Sequence, residues 1–197
     1  RISRIYEGTN EINRMLIVGT LLKRSMKNEI NLLNESMNII KSMDINPCHY
    51  TENDHFQSSY SLIDNLKKSF LYVLGKSAMH FGEKIKSEQE VMMNIANIII
   101  SIYVMESTIK RCEKVYHTTK NEILIDISKA SIYYNLLDFR ENSIEALTSF
   151  MSEDDTDISL KLLDNSTSFK RFNIKNLNRK IADYFLSKKS YNLFNNF

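Results

Sequence analysis

Residues 88–116, EQEVMMNIANIIISIYVMESTIKRCEKVY, place Met92, Ile95, Ile99, Ile102 and Met105 three or four positions apart. That rhythm stacks apolar side chains on one face of a helix, whereas a half-buried strand would alternate every second residue. The same spacing recurs on both sides. Leu62, Leu66, Phe70, Val73 and Leu74 mark a helix over 57–80, and Ile125, Ile132, Leu136, Phe139 and Leu147 mark another over 121–150. Short turns at Phe81-Gly82 and Thr118-Thr119-Lys120 join the three, so they read as an antiparallel bundle.

Working outward, Ile12, Met15, Leu16, Val18, Gly19 and Leu22 predict an amphipathic helix to about Met26. Ile30, Leu33, Met37 and Ile40 carry a second one to about Met43, closed by Asp44-Ile45-Asn46-Pro47 because a proline bars the residue before it from helical geometry. On the C-terminal side the acidic run Glu153-Asp154-Asp155-Thr156-Asp157 precedes a helical start at Ile158, and a last helix covers Ile174 to Leu186. Only 4 Gly and 1 Pro punctuate 197 residues, far too few for the turns of a sheet protein. The fold class is all-α, a helical bundle. The polar stretch 46–55, NPCHYTENDH, is the best linker, which divides the chain into residues 1–46 and 47–197.

Hydrophobic residues make up 43% and charged ones 25%, which excludes wholesale disorder and fibrous repeats. A net charge of +2 gives no global argument for a nucleic-acid partner. Two cysteines, Cys48 and Cys112, form no disulfide framework and favour a reducing compartment such as the cytoplasm. No apolar run approaches the roughly 20 residues of a membrane span, since Asn97 and Ser101 interrupt Ile95 to Met105. The chain opens at Arg1 without a leader, which implies missing upstream sequence.

One stretch stands apart: Arg4-Ile5-Tyr6-Glu7-Gly8-Thr9-Asn10-Glu11-Ile12-Asn13-Arg14. Thr9 is of the type that caps a helix by accepting a backbone N–H of its first turn, and Glu11 suits the positive end of the helix dipole. General-base removal of a proton from carbon needs a tethered carboxylate held near apolar surface. Glu7 has the right chemistry for it. A glycine directly after the base lets backbone approach a substrate, and N–H groups ahead of a helix can polarise a substrate carbonyl, a role for Gly8 and the Glu7 amide. Taken alone, Glu-Gly-Thr more often describes a solvated loop carboxylate before a cap.

The longer run resembles the C-terminal catalytic motif of the acyl-CoA dehydrogenases, in which Ile-Tyr-Glu-Gly-Thr carries the base and opens a helix. The helical remainder is similar to the very-long-chain subgroup, whose bacterial members add a C-terminal helical domain. The resemblance implies an FAD-dependent α,β-dehydrogenation of fatty acyl-CoA in β-oxidation, with Glu7 as base and Tyr6 and Gly8 against the thioester end of the substrate. It implies that Thr9, Asn10 and Glu11 touch FAD and that the enzyme is a homodimer. In the family the flavin and substrate are gripped by an N-terminal helical domain and a middle β-domain, absent here, so the chain is expected to be the C-terminal portion of a longer enzyme and inactive by itself.

Other candidates are weaker. Cys48, His49, Asp54 and His55 match no standard metal-ligand spacing. Cys112 reads as a small buried hydrophobe, the methionines as core filler, and His80 and His117 as helix-end residues. Residues 166–197 carry seven Lys or Arg against Asp183 alone, interleaved with Phe169, Phe172, Tyr184, Phe185, Tyr191, Phe194 and Phe197. Such a tail suits either peripheral membrane contact or aromatics packed on the bundle with cations in water. A rival to the enzyme is thus a non-catalytic interaction or membrane-docking module derived from one. A bare four-helix scaffold would leave the Tyr6 to Glu11 run without a reason.

Overall fold

The computed structural model describes residues 2–47, 50–190 and 193. Among them are seven α-helices and no strand: α1 (Asn10–Met26), α2 (Leu32–Ser42), α3 (His55–Phe81), α4 (Gln89–Thr119), α5 (Ile123–Thr148), α6 (Glu153–Ser166) and α7 (Ile174–Lys188). The all-α bundle expected from the hydrophobic rhythm is what the chain forms. Cys48, His49, Tyr191, Phe194 and Phe197 lie outside the described residues.

Helix α4 is the hub. It pairs most extensively with α5 and also packs on α1 and α3, while α2 lies on α3, α6 on α3 and α5, and α7 on α5. Met92, Ile95, Ile102 and Met105 of α4 are buried as the 88–116 rhythm demands, together with Val91, Ile98 and Ile109, whereas Ile99 is half-buried and Ile98 beside it takes the core position. The helix is nonetheless long and apolar enough to pass for a membrane span, which corrects the expectation that no run comes close. Its apolar residues instead join one buried cluster with Leu62, Leu66 and Val73 of α3 and Leu124, Ile132 and Phe139 of α5. Val18 and Leu22 of α1 belong to that cluster too.

Small residues let the helices approach. A Cβ on Gly75 would fall 2.7 Å from Cδ1 of Ile40 and 3.0 Å from Cβ of Ser36, so the glycine sets the closeness of α2 to α3. Ser36, Ser59, Ser77 and Ser143 are buried, and each hydroxyl donates to the carbonyl four residues back, which satisfies it without a partner helix.

Three local expectations change. Helix α6 starts at Glu153, not Ile158: Ser152 caps it by accepting the Asp155 N–H at 3.3 Å, so the acidic residues form its first turn. Helix α2 ends at Met43 as expected, but the stop comes from that residue's left-handed backbone (φ 48°), whose N–H reaches the Ile39 carbonyl at 2.8 Å, and not from Pro47. The connection after α3 is a 3₁₀ helix over Gly82–Ser87 and not a bare turn, because Ile85 turns back into the core.

Candidate functional site

The stretch singled out by sequence forms a compact turn. A 3₁₀ turn over Ile2–Arg4 is closed by the Tyr6 N–H donating to the Ile2 carbonyl at 3.0 Å. Glu7 and Gly8 then take successive positive φ values of 57° and 98°. A non-glycine residue in the left-handed region costs on the order of 1 kcal/mol, and such strain concentrates at functional sites. Gly8 has no alternative: at its φ a side chain is strained, and an added Cβ would sit 3.1 Å from Oδ1 of Asn13.

The reversal delivers Thr9 in extended geometry to cap α1, and its hydroxyl accepts the Ile12 N–H at 3.3 Å. The expected cap is therefore present. Glu11 lies in the first turn, where its own backbone N–H and the Thr9 hydroxyl hold its carboxyl below the usual carboxylate range. Two residues given no role by sequence lock the turn: Asn13 donates to the Gly8 carbonyl at 3.1 Å, and Arg14 donates through Nη1 to the Asn10 carbonyl at 3.2 Å. Both lie one helical turn beyond their acceptors, the reach that joins positions three to five apart on a helix start.

Tyr6, Glu7, Gly8 and Glu11 are exposed, and Thr9 and Asn10 half-exposed. The six sequence-chosen residues are thus contiguous on one surface. Beside them Ile5 is 71% and Tyr6 67% exposed, and Ile12 and Leu16 stand out on α1. They form a strip of uncovered large apolar groups in the same stretch of chain as the Glu7 carboxylate.

The remaining candidates are otherwise engaged. Asp54 caps α3 by accepting the Gln57 N–H at 3.2 Å. His55 is buried, with Nδ1 against the Tyr50 hydroxyl at 3.2 Å and Nε2 against Ser128, and burial pulls its pKa down to about 4. Cys112 is fully buried and its thiol is pushed up to about 12 by burial, as suits a packing residue. His80 lies against Phe81 and Phe150, and His117 faces Glu113 at 3.8 Å, both in last turns of helices.

In the tail, Phe169 and Phe172 pack edge-on against Tyr50. Tyr184 accepts from Asn121 at 2.7 Å, and Lys180 pairs with the buried Asp126 at 2.5 Å. An open cleft of about 820 Å³ lies between α5 and residues 164–172, where Arg140 is paired with Asp164.

Comparison with known proteins gives a consistent result. Residues 65–165, just over half of the chain, match the family described as "Acyl-CoA dehydrogenase, C-terminal domain". A probable acyl-CoA dehydrogenase of Bacillus subtilis (strain 168) is 33% identical over 114 residues, 58% of this chain and 19% of that protein. A crystal structure of an acyl-CoA dehydrogenase complexed with FAD from Bacillus anthracis superposes with a TM-score of 0.88 at 30% identity, over 97% of this chain and 33% of that one. The chain therefore spans about a fifth and a third of these relatives' lengths. By fold and by sequence alike, it belongs to the acyl-CoA dehydrogenase family and carries that family's C-terminal helical domain.

Proposed function

We propose that the chain is the C-terminal part of an FAD-dependent acyl-CoA dehydrogenase that introduces a double bond between Cα and Cβ of fatty acyl-CoA thioesters, with Glu7 as general base. The supporting observation is the strained Glu7–Gly8 turn opening into a capped helix, φ 57° then 98°, with apolar Ile5 and Tyr6 beside the carboxylate. In this reading the relatives' further length supplies the walls that cover that strip. Water is then excluded, and Glu7 meets the substrate in an apolar setting.

The chain's own residues have separable tasks. Glu7 accepts the α-proton on its carboxylate, and the C–H electron pair becomes part of the new double bond. In this reading the Glu7 N–H donates to the thioester oxygen as negative charge develops there, and Gly8 leaves room for the close approach. The start of α1 fits the polar edge of FAD: Asn10 offers an amide beside the first-turn N–H groups, and Glu11, held ionised, accepts from a hydroxyl or amino group. Thr9 shapes that edge by its cap. When bound, the flavin supplies the acceptor for the β-hydride.

The finer assignments follow the same reading: a homodimer in a reducing compartment, a catalytic portion over 1–46 and an appended bundle over 47–197, and membership of the very-long-chain subgroup. A second reading, membrane contact through 166–197, is favoured by α7, which has no buried residue and leaves Leu186 exposed near Lys188 and Lys189. The test of the main reading is Glu7→Gln in the full-length enzyme, which should retain flavin and lose turnover.

A further inference from the structure

We propose that the bundle after Pro47 braces the base-bearing turn, and that Asn97 is a positioning residue for the reaction, acting through Arg14. The inference rests on the reading of Glu7 as base. Arg14 donates through Nη1 to the carbonyl of Asn10, the first residue of α1, and through Nε to Oδ1 of Asn97 on α4 at 2.6 Å. Asn97 in turn donates through Nδ2 to Oδ1 of Asn142 on α5 at 2.8 Å, and Asn142 donates to the Asp138 carbonyl at 2.7 Å. A continuous hydrogen-bonded line therefore runs from the first turn of α1 through α4 into α5.

The residue types suit a brace. A guanidinium is planar with donors in a fixed fork, so its bond to the Asn10 carbonyl on its own helix orients the Nε–H that reaches Asn97 on α4. Asn97 is flanked by Ala96 and Ile98, both fully buried, so its backbone is anchored in the core. An amide serves both links, since it accepts from Arg14 while donating to Asn142, whereas a carboxylate there keeps the link to Arg14 and loses only the outer one. Asn13 holds the Gly8 carbonyl from the same helix, so a shift of α1 reaches Glu7 directly. Misplacing a reacting group by 1 Å can cost about 10²-fold in rate. Part of that placement is thus set by residues 83 positions downstream of Arg14.

The test uses the full-length flavoenzyme carrying Asn97→Ala, Asn97→Asp and, separately, Glu7→Gln. Asn97→Ala should keep its flavin and a KM within about twofold, while kcat and the exchange of the substrate's α-hydrogen with D2O both fall roughly tenfold. Asn97→Asp keeps the acceptor for Arg14 and should restore most of both rates. A role in stability alone would lower Tm but leave the rates of the folded holoenzyme native. Native kcat in Asn97→Ala beside an inactive Glu7→Gln overturns the brace and leaves the base standing, whereas an active Glu7→Gln overturns both. If Asn97→Ala does not fold, Asn142→Ala, which removes only the outer link, decides the matter: a loss of about threefold in kcat supports the brace, and no loss overturns it.

Discussion

Gly75 on α3 faces Ile40 on α2 so closely that a Cβ would lie 2.7 Å from the Ile40 Cδ1. Ser36, fully buried one turn earlier on α2, closes the other side at 3.0 Å. The contact seats the N-terminal helical pair on the bundle, and with it the turn that bears Glu7.

Gly75→Val puts a branched side chain into that contact. Overpacking of a close helix pair costs about 1–3 kcal/mol, more than a better helix former returns. Thermal unfolding of the variant should show Tm lower by roughly 4–10 °C, on the scale of a domain of this size. An unchanged Tm would mean that α2 is not packed as described.

Acid should destabilise the bundle through His55. Burial, and secondarily Lys129, hold its folded pKa at about 4 against 6.5 for the free side chain, with Asp126 opposing. The unfolded chain therefore binds the proton more readily, so stability is full above about pH 6.5 and declines as pH falls toward 4. The total loss is of the order of a few kcal/mol. Urea midpoints at pH 7 and pH 4.5 should converge in His55→Gln relative to the native chain, and an equal acid loss in both would assign it to other groups.

The tail separates two roles by charge reversal. Near α7, Lys180 and Tyr184 are held to the bundle by Asp126 and Asn121, whereas Lys188 and Lys189 at its end are exposed. Each cation near an anionic bilayer contributes about 1 kcal/mol, so Lys188→Glu with Lys189→Glu should weaken vesicle co-sedimentation by at least about tenfold at low salt. Unchanged co-sedimentation leaves the aromatics of the tail as packing groups only.

The fold was legible because its signal is local and repeated. Met92, Ile95, Ile102 and Met105 recur at helical spacing and are all buried in α4. Thr9 was legible as a cap for the same reason, since the bond to the Ile12 N–H spans three residues. The start of α6 was misread because apolar rhythm begins at Ile158 while the physical start lies with the Ser152 hydroxyl and the helix dipole, neither of which is periodic. The stop of α2 near Met43 is legible from the apolar rhythm, but its cause is the left-handed Met43 and not Pro47, and a non-glycine in that geometry leaves no mark in the sequence.

At the site, the residue types of the turn could be read but not its bracing. Nothing in the sequence near Arg14 indicates Asn97, because that contact exists only once α1 lies on α4. Asn13 was within reach of reasoning, being one turn from Gly8, yet an asparagine on an exposed helix face carries no signal by itself.

The central claim is that Glu7 takes the proton, and flavin absorbance in the full-length enzyme tests it most directly. Glu7→Gln keeps the shape of the side chain and removes the base. On anaerobic addition of a fatty acyl-CoA, the native enzyme should bleach its flavin, while Glu7→Gln, with flavin fully bound, should bleach at least about 10³-fold more slowly. Bleaching of Glu7→Gln at the native rate would contradict the assignment.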